Sequence, residues 1–183
     1  MKIVTGRLVA VIVLAALSGP ARGDTAPGST QDLRAGFFLL HKVCDQESQV
    51  DLLNIVKTTP PEVGDYVKRV SGLAKESLAT LDRFADHDSS LQKTTDPLPP
   101  FEQATRKNIE AQKEHSLLFG SKGGTYARRL LFSQVQAANY IVNLSQTWAE
   151  RDPNADREAT MRKMCARWTK IREEGFRLLD QGG

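Results

Sequence analysis

The sequence predicts an all-α domain, an up-down four-helix bundle with a short extra helix in its crossover. Beyond residue 24 no segment alternates apolar and polar side chains with period two, whereas apolar residues recur at intervals of three and four throughout. Proline and glycine breaks divide that pattern into helical lengths. The 183 residues, 40% hydrophobic and 26% charged, suit one domain with a sizeable core and exclude a disordered, collagen-like or cysteine-dense chain.

Residues 31–57 read as the first helix, with Ser29 and Asp32 as a capping pair and Leu33, Phe37, Leu40, Val43, Cys44, Val50 and Leu53 facing inward. The run Thr59-Pro60-Pro61-Glu62 restarts the chain. Thr59 can cap, Pro60 suits a first helical position, and Glu62 stands where a capping box needs it. The second helix, 61–86, carries Val63, Tyr66, Val67, Val70, Leu73, Ala74, Leu81 and Phe84 on one stripe. Residues 86–100, with Asp-Pro and Pro-Pro steps, form the longest connection, followed by a short helix over 101–118 and a glycine-rich break at 120–124. A helix over 125–150 presents Leu130, Leu131, Val135, Ala138, Ile141, Val142 and Trp148. Asp152-Pro153 opens the last helix, whose stripe is Met161, Met164, Cys165, Trp168, Ile171 and Leu178. Residues 31–180 are thus one domain of two helical hairpins joined by a long crossover.

Residues 1–23 have the pattern of a secretory signal peptide. Lys2 and Arg7 precede an apolar run from Leu8 to Leu17, and Ala21-Arg22-Gly23 offers small residues for cleavage before Asp24. That run is about half the length of a bilayer-spanning helix; an uncleaved anchor is the alternative. The expected product is exported to a periplasmic or extracellular space, with residues 24–30 a flexible arm. The leader also accounts for the basic balance. Lys2, Arg7 and Arg22 are 3 of the 25 basic residues, and without them basic and acidic residues balance at 22 each, so the charge indicates no nucleic-acid partner.

Cys44 and Cys165 are the only cysteines, and in an exported chain they are read as a disulfide. Cys44 lies about 20 Å along the first helix and Cys165 about 22 Å back from Asp180, at about 1.5 Å per residue. Antiparallel neighbouring helices would therefore set the thiols level. The alternative is two buried free thiols acting as small apolar residues.

The chain carries few motifs with a chemical reading. A di-metal carboxylate bundle needs paired glutamates and Glu-x-x-His steps, but His41, His87 and His115 have no glutamate three residues before them. Glu47 falls on the inward side of the first helix, either partly buried and hydrogen-bonded or an ordinary boundary acid. No Gly-x-Ser-x-Gly, phosphate-binding loop or Cys-x-x-Cys-His occurs. The expectation is no enzyme, no metal and no cofactor. Asn143-Leu144-Ser145 matches a glycosylation sequon in mid-helix. The last helix gathers Arg157, Arg162, Lys163, Arg167, Lys170, Arg172 and Arg177 against Asp156, Glu158, Glu173, Glu174 and Asp180, and Arg128 and Arg129 add to the helix before it. This is either a surface for an acidic partner or anionic lipid headgroups, or a solvated helix face.

The chain resembles the exported ferritin-like bundles of domain-of-unknown-function family 4142. The spacing from Glu47 to the Pro60-Pro61-Glu62-Val63 turn carries the resemblance in the first hairpin. Gly123-Gly124-Thr125-Tyr126, Trp148-Ala149 and Asp152-Pro153 carry it in the second, and it spans roughly residues 31–180. It implies a ferritin-like bundle and export. It implies no activity, because Leu73-Ala74 stands where the family's Asp-His pair is expected, Val135-Gln136-Ala137-Ala138 where a histidine often falls, and Tyr126-Ala127 in place of Phe-Asp. The function expected is that of a non-catalytic envelope protein acting by surface interaction with a protein partner or a membrane face, or by self-association. A ferritin-like metal-binding or redox-associated bundle is the alternative.

Overall fold

The computed structural model describes residues 30–53, 59–91, 93, 98–119 and 124–181; the leader and residues 24–29 lie outside them. Among the described residues the structure is entirely helical: α1 (Thr30–Glu47), a 3₁₀ turn (Val50–Leu52), α2 (Pro61–His87), α3 (Pro100–Phe119), α4 (Gly124–Arg151) and α5 (Ala155–Gln181).

The first helix ends ten residues earlier than the apolar pattern implies, and Ser48 is the reason. Its hydroxyl donates to the Asp45 carbonyl at 2.6 Å, the acceptor that the Gln49 amide would take in a continuing α-helix. The Gln49 amide turns instead to the Gln46 carbonyl at 3.3 Å, which tightens the chain toward the 3₁₀ turn. The freed Ser48 carbonyl accepts the Ser71 hydroxyl of α2 at 2.7 Å. At the start of α2 the sequence reading is one residue off: Pro60 is the cap and Pro61 opens the helix. At the start of α5 the cap is Asn154, whose side chain accepts the Arg157 amide at 3.0 Å. Asp152 is released from capping for another role.

Cross-helix contacts fix the directions. His41 of α1 and Ser48 just beyond its end meet Asp82 and Ser71 of α2, so these helices are antiparallel. Phe37 stacks edge-on against Trp148 of α4, making α1 and α4 antiparallel as well. Arg172 of α5 reaches Asn139 of α4, and Trp168 and Arg157 of α5 reach Ser77 and Asp88 of α2. Each helix therefore has two antiparallel neighbours: α1 touches α2 and α4, and α5 touches α4 and α2. The remaining pairs, α1 with α5 and α2 with α4, are parallel diagonals. The connection from α2 to α4 must return along the whole bundle, and α3 is part of it. That helix is held from outside by polar bonds: Lys42 to Glu110 at 3.0 Å and Arg106 to the Tyr140 hydroxyl at 3.3 Å.

The predicted inward residues lie in one apolar core or pack against it, except Val135, which is buried outside that cluster. The central piece is Trp168, fully buried, its indole N–H donating to the Ser77 hydroxyl at 3.0 Å. Above and below this layer α5 is drawn onto α2. At one end Gly175 allows contact: a methyl there would stand 2.4 Å from both the Tyr66 hydroxyl and Val135 Cγ2. At the other end Arg157 makes two bonds to Asp152, at 2.7 and 2.9 Å, and one to Asp88 of α2 at 2.8 Å. The fork ties the α4–α5 corner to the end of α2. Hydrogen bonds from Ser90, outweighing a small burial effect and joined by those of Arg157, hold the Asp88 carboxyl below the usual carboxylate range.

Two predictions follow from these contacts. Gly175→Ala should destabilise the fold by about 1–3 kcal/mol through overpacking, seen as a lower denaturant midpoint. Adding Tyr66→Phe should recover part of that loss, because the hydroxyl is among the closest atoms. A group with a depressed folded pKa contributes stability above its unfolded pKa and loses it as pH falls through the folded value. Asp88→Asn should therefore flatten the acid limb of a melting-temperature profile below about pH 5, while its largest cost appears at neutral pH.

Candidate functional site

The residues proposed for chemistry from the sequence do not converge. His41 sits 3.1 Å from Asp82, whose carboxylate also accepts Lys93 at 2.9 Å. Burial pushes the Asp82 carboxyl up, but the bonds from Lys93 and His41 outweigh it and leave it below the usual range. His87 and His115 are exposed on α2 and α3. Glu47 is buried at 2% exposure near the end of α1, within electrostatic reach of Cys44 and Tyr66. Among the described residues no three His, Cys, Asp or Glu side chains are grouped to hold a metal. Asn143 is exposed in mid-helix, but Ser145 of its sequon is fully buried and donates to the Ile141 carbonyl at 2.7 Å. Residues 120–123 of the glycine-rich break lie outside the described residues, and Gly124 opens α4.

The expected disulfide is not formed. Cys44 and Cys165 are both free thiols, the first buried and the second partly exposed. Level thiols can bridge only between neighbouring helices, whereas α1 and α5 lie on a diagonal and make at most marginal contact. Diagonal helix axes stand about 11–14 Å apart, against about 8–10 Å for neighbours. A bridge across that gap would need both side chains aimed at the centre, and Cys165 sits at the edge. Burial pushes the Cys44 thiol far above its ordinary range, and the neighbouring Glu47 and Asp45 carboxylates push it further.

The feature that does form a site is a valley between α2 and α5. Two adjoining cavities of about 420 and 470 Å³ share Leu73, Glu76 and Arg167. Arg69 and Arg83 of α2 and Lys163, Arg167 and Lys170 of α5 line them, against the single lining acid Glu76. Arg167 pairs with Glu76 at 2.6 Å and Arg69 with Glu174. Lys163 and Lys170 have no ion-pair partner among the described residues. The buried Leu73 and Met164 and the half-buried Ile171 form the floor.

The basic cluster read on the last helix is therefore divided by the fold. Lys163, Arg167 and Lys170 enter the valley; Arg157 belongs to the corner clamp, Arg162 pairs with Glu158 one turn away, and Arg172 bonds Asn139. Arg128, Arg129 and Arg177 are exposed elsewhere. Arg69 and Arg83 were not singled out from the sequence. Their signal is the seven-residue spacing of Arg69, Glu76 and Arg83, which sets three charges on one face of α2.

Comparison with protein families, curated proteins and solved structures finds no match to this chain. Among the described residues no helix is long and apolar enough to cross a membrane.

The thiol assignment predicts two alkyl labels by mass spectrometry on protein unfolded without reductant. In the folded protein Cys44 should stay unlabelled, because thiolate is the reactive form and this one is buried and disfavoured.

Proposed function

We propose that this chain is an exported, non-catalytic helical-bundle protein of the cell envelope that works by holding an anionic partner on its α2–α5 face. The valley carries the reading: five cations over an apolar floor with one acid among them. Such a surface gathers negative charge by local field although the chain beyond the leader is balanced overall. Export rests on the leader pattern of residues 1–23. A ferritin-like bundle, and kinship with domain-of-unknown-function family 4142, are part of the same proposal. Their support is the arrangement of two antiparallel hairpins joined by one full-length crossover.

The buried Glu47 beside Cys44 and Tyr66 favours a second reading, a ferritin-like metal-binding or redox-associated bundle. The scatter of the three histidines weighs against it. Elemental analysis of untagged protein purified without chelator separates the two: near-stoichiometric iron, manganese or zinc would replace the binding reading.

The binding reading is tested by Arg167→Glu with Lys170→Glu. Both positions are exposed, so stability should change by less than about 1 kcal/mol. Affinity for fluorescein-labelled polyglutamate at low salt should fall by about tenfold or more. Unchanged affinity would end the proposal. Co-sedimentation with anionic vesicles but no polyglutamate binding would turn it toward a membrane face, and a concentration-dependent dimer sensitive to the same substitutions would turn it toward self-association.

A further inference from the structure

We infer that the occupant of the α2–α5 valley is an acidic amphipathic helix of a partner protein. The inference rests on the anionic-face reading above and names the ligand class. The lining positions of α2 are 69, 72, 73, 76, 77, 79, 80 and 83, and those of α5 are 160, 163, 164, 167, 170 and 171. Both sets follow the three-and-four spacing of a helix face that receives another helix. From 69 to 83 the valley runs about 21 Å, roughly four helical turns. Gly72 and Ala79 lower the α2 wall, and a Cβ added at Gly72 would meet nothing within 4 Å, so the space beside it is open.

Other anionic ligands fit less of this. A free phosphate would use one or two cations and leave the rest of the length and the floor of Leu73, Met164 and Ile171 unused. A planar bilayer surface cannot follow a concave valley down to that floor. An amphipathic helix places an apolar stripe on the floor and acids along both edges, opposite Arg83 and Lys163 at one end and Arg69 and Lys170 at the other.

The probe is a fluorescein-labelled peptide of about 18 residues, with leucines at three-and-four spacing flanked by glutamates, titrated with the full chain and read by anisotropy. A scrambled peptide of the same composition controls for charge and hydrophobicity. Gly72→Gln with Ala79→Gln fills the valley without changing its charge and uses residues of good helix propensity, so loss of binding would not reflect unfolding. The amphipathic peptide should bind about tenfold tighter than the scramble, and the filled valley should remove that difference. Equal binding of the two peptides, or full binding to the filled valley, overturns the helix assignment. If Arg167→Glu with Lys170→Glu still weakens polyglutamate binding in that case, the anionic-face reading survives alone. If that charge reversal weakens neither probe, both fall. Binding to anionic vesicles that is unaffected by the filled valley and exceeds peptide binding also overturns the assignment.

Discussion

The placement of α5 against α2 is the constraint on which the rest of the structure depends. The two helices are pinned at both ends and in the middle. Gly175 lets the Tyr66 ring into the space between them at one end, the Arg157 fork reaches Asp88 at the other, and Trp168 holds Ser77 between. Trp168 and Gly175 act on the buried side of α5, and Arg157 at the part-buried corner. The outer side is left as a valley whose floor is the back of the core and whose walls are charged.

Charge and packing are divided cleanly along α5. Arg157 is spent on fold, since both its acceptors come from the ends of other helices and one of them, Asp152, is buried. Arg167 is an exposed ion pair of the kind that contributes little to stability. Pairing Arg167 with Glu76 also relieves repulsion among the cations of the valley.

The polar interior has a different character. Cys44, Glu47 and Tyr66 are all buried near the end of α1, and burial displaces the thiol and the phenol toward their neutral forms. Neutral groups of this kind sit in a core at moderate cost. Among the described residues the histidines lie apart from them, spread over α1, the end of α2 and α3.

Much of the fold was legible in one sequence. The apolar stripes of α2, α4 and α5 translate directly into buried faces, because helix period and core burial are local consequences of residue spacing. The end of α1 was not legible: Val50 and Leu53 continue the stripe, but the Ser48 hydroxyl captures a backbone acceptor, and the chain turns while those side chains stay in the core. The cysteine pairing failed for a global reason. Sequence sets the height of each thiol along its helix, but only the crossover decides that α1 and α5 are diagonal. The valley falls between these cases. Its α5 cations were visible as a cluster, whereas their separation from Arg157, Arg162 and Arg172, and their union with Arg69 and Arg83, depend on the rotation and neighbours of each helix. Sequence alone determined helix content, core membership and the balance of charge, because these follow from residue type and period. Tertiary structure alone decided which charges share a surface, because that depends on contacts between residues some ninety positions apart, such as Arg167 and Glu76.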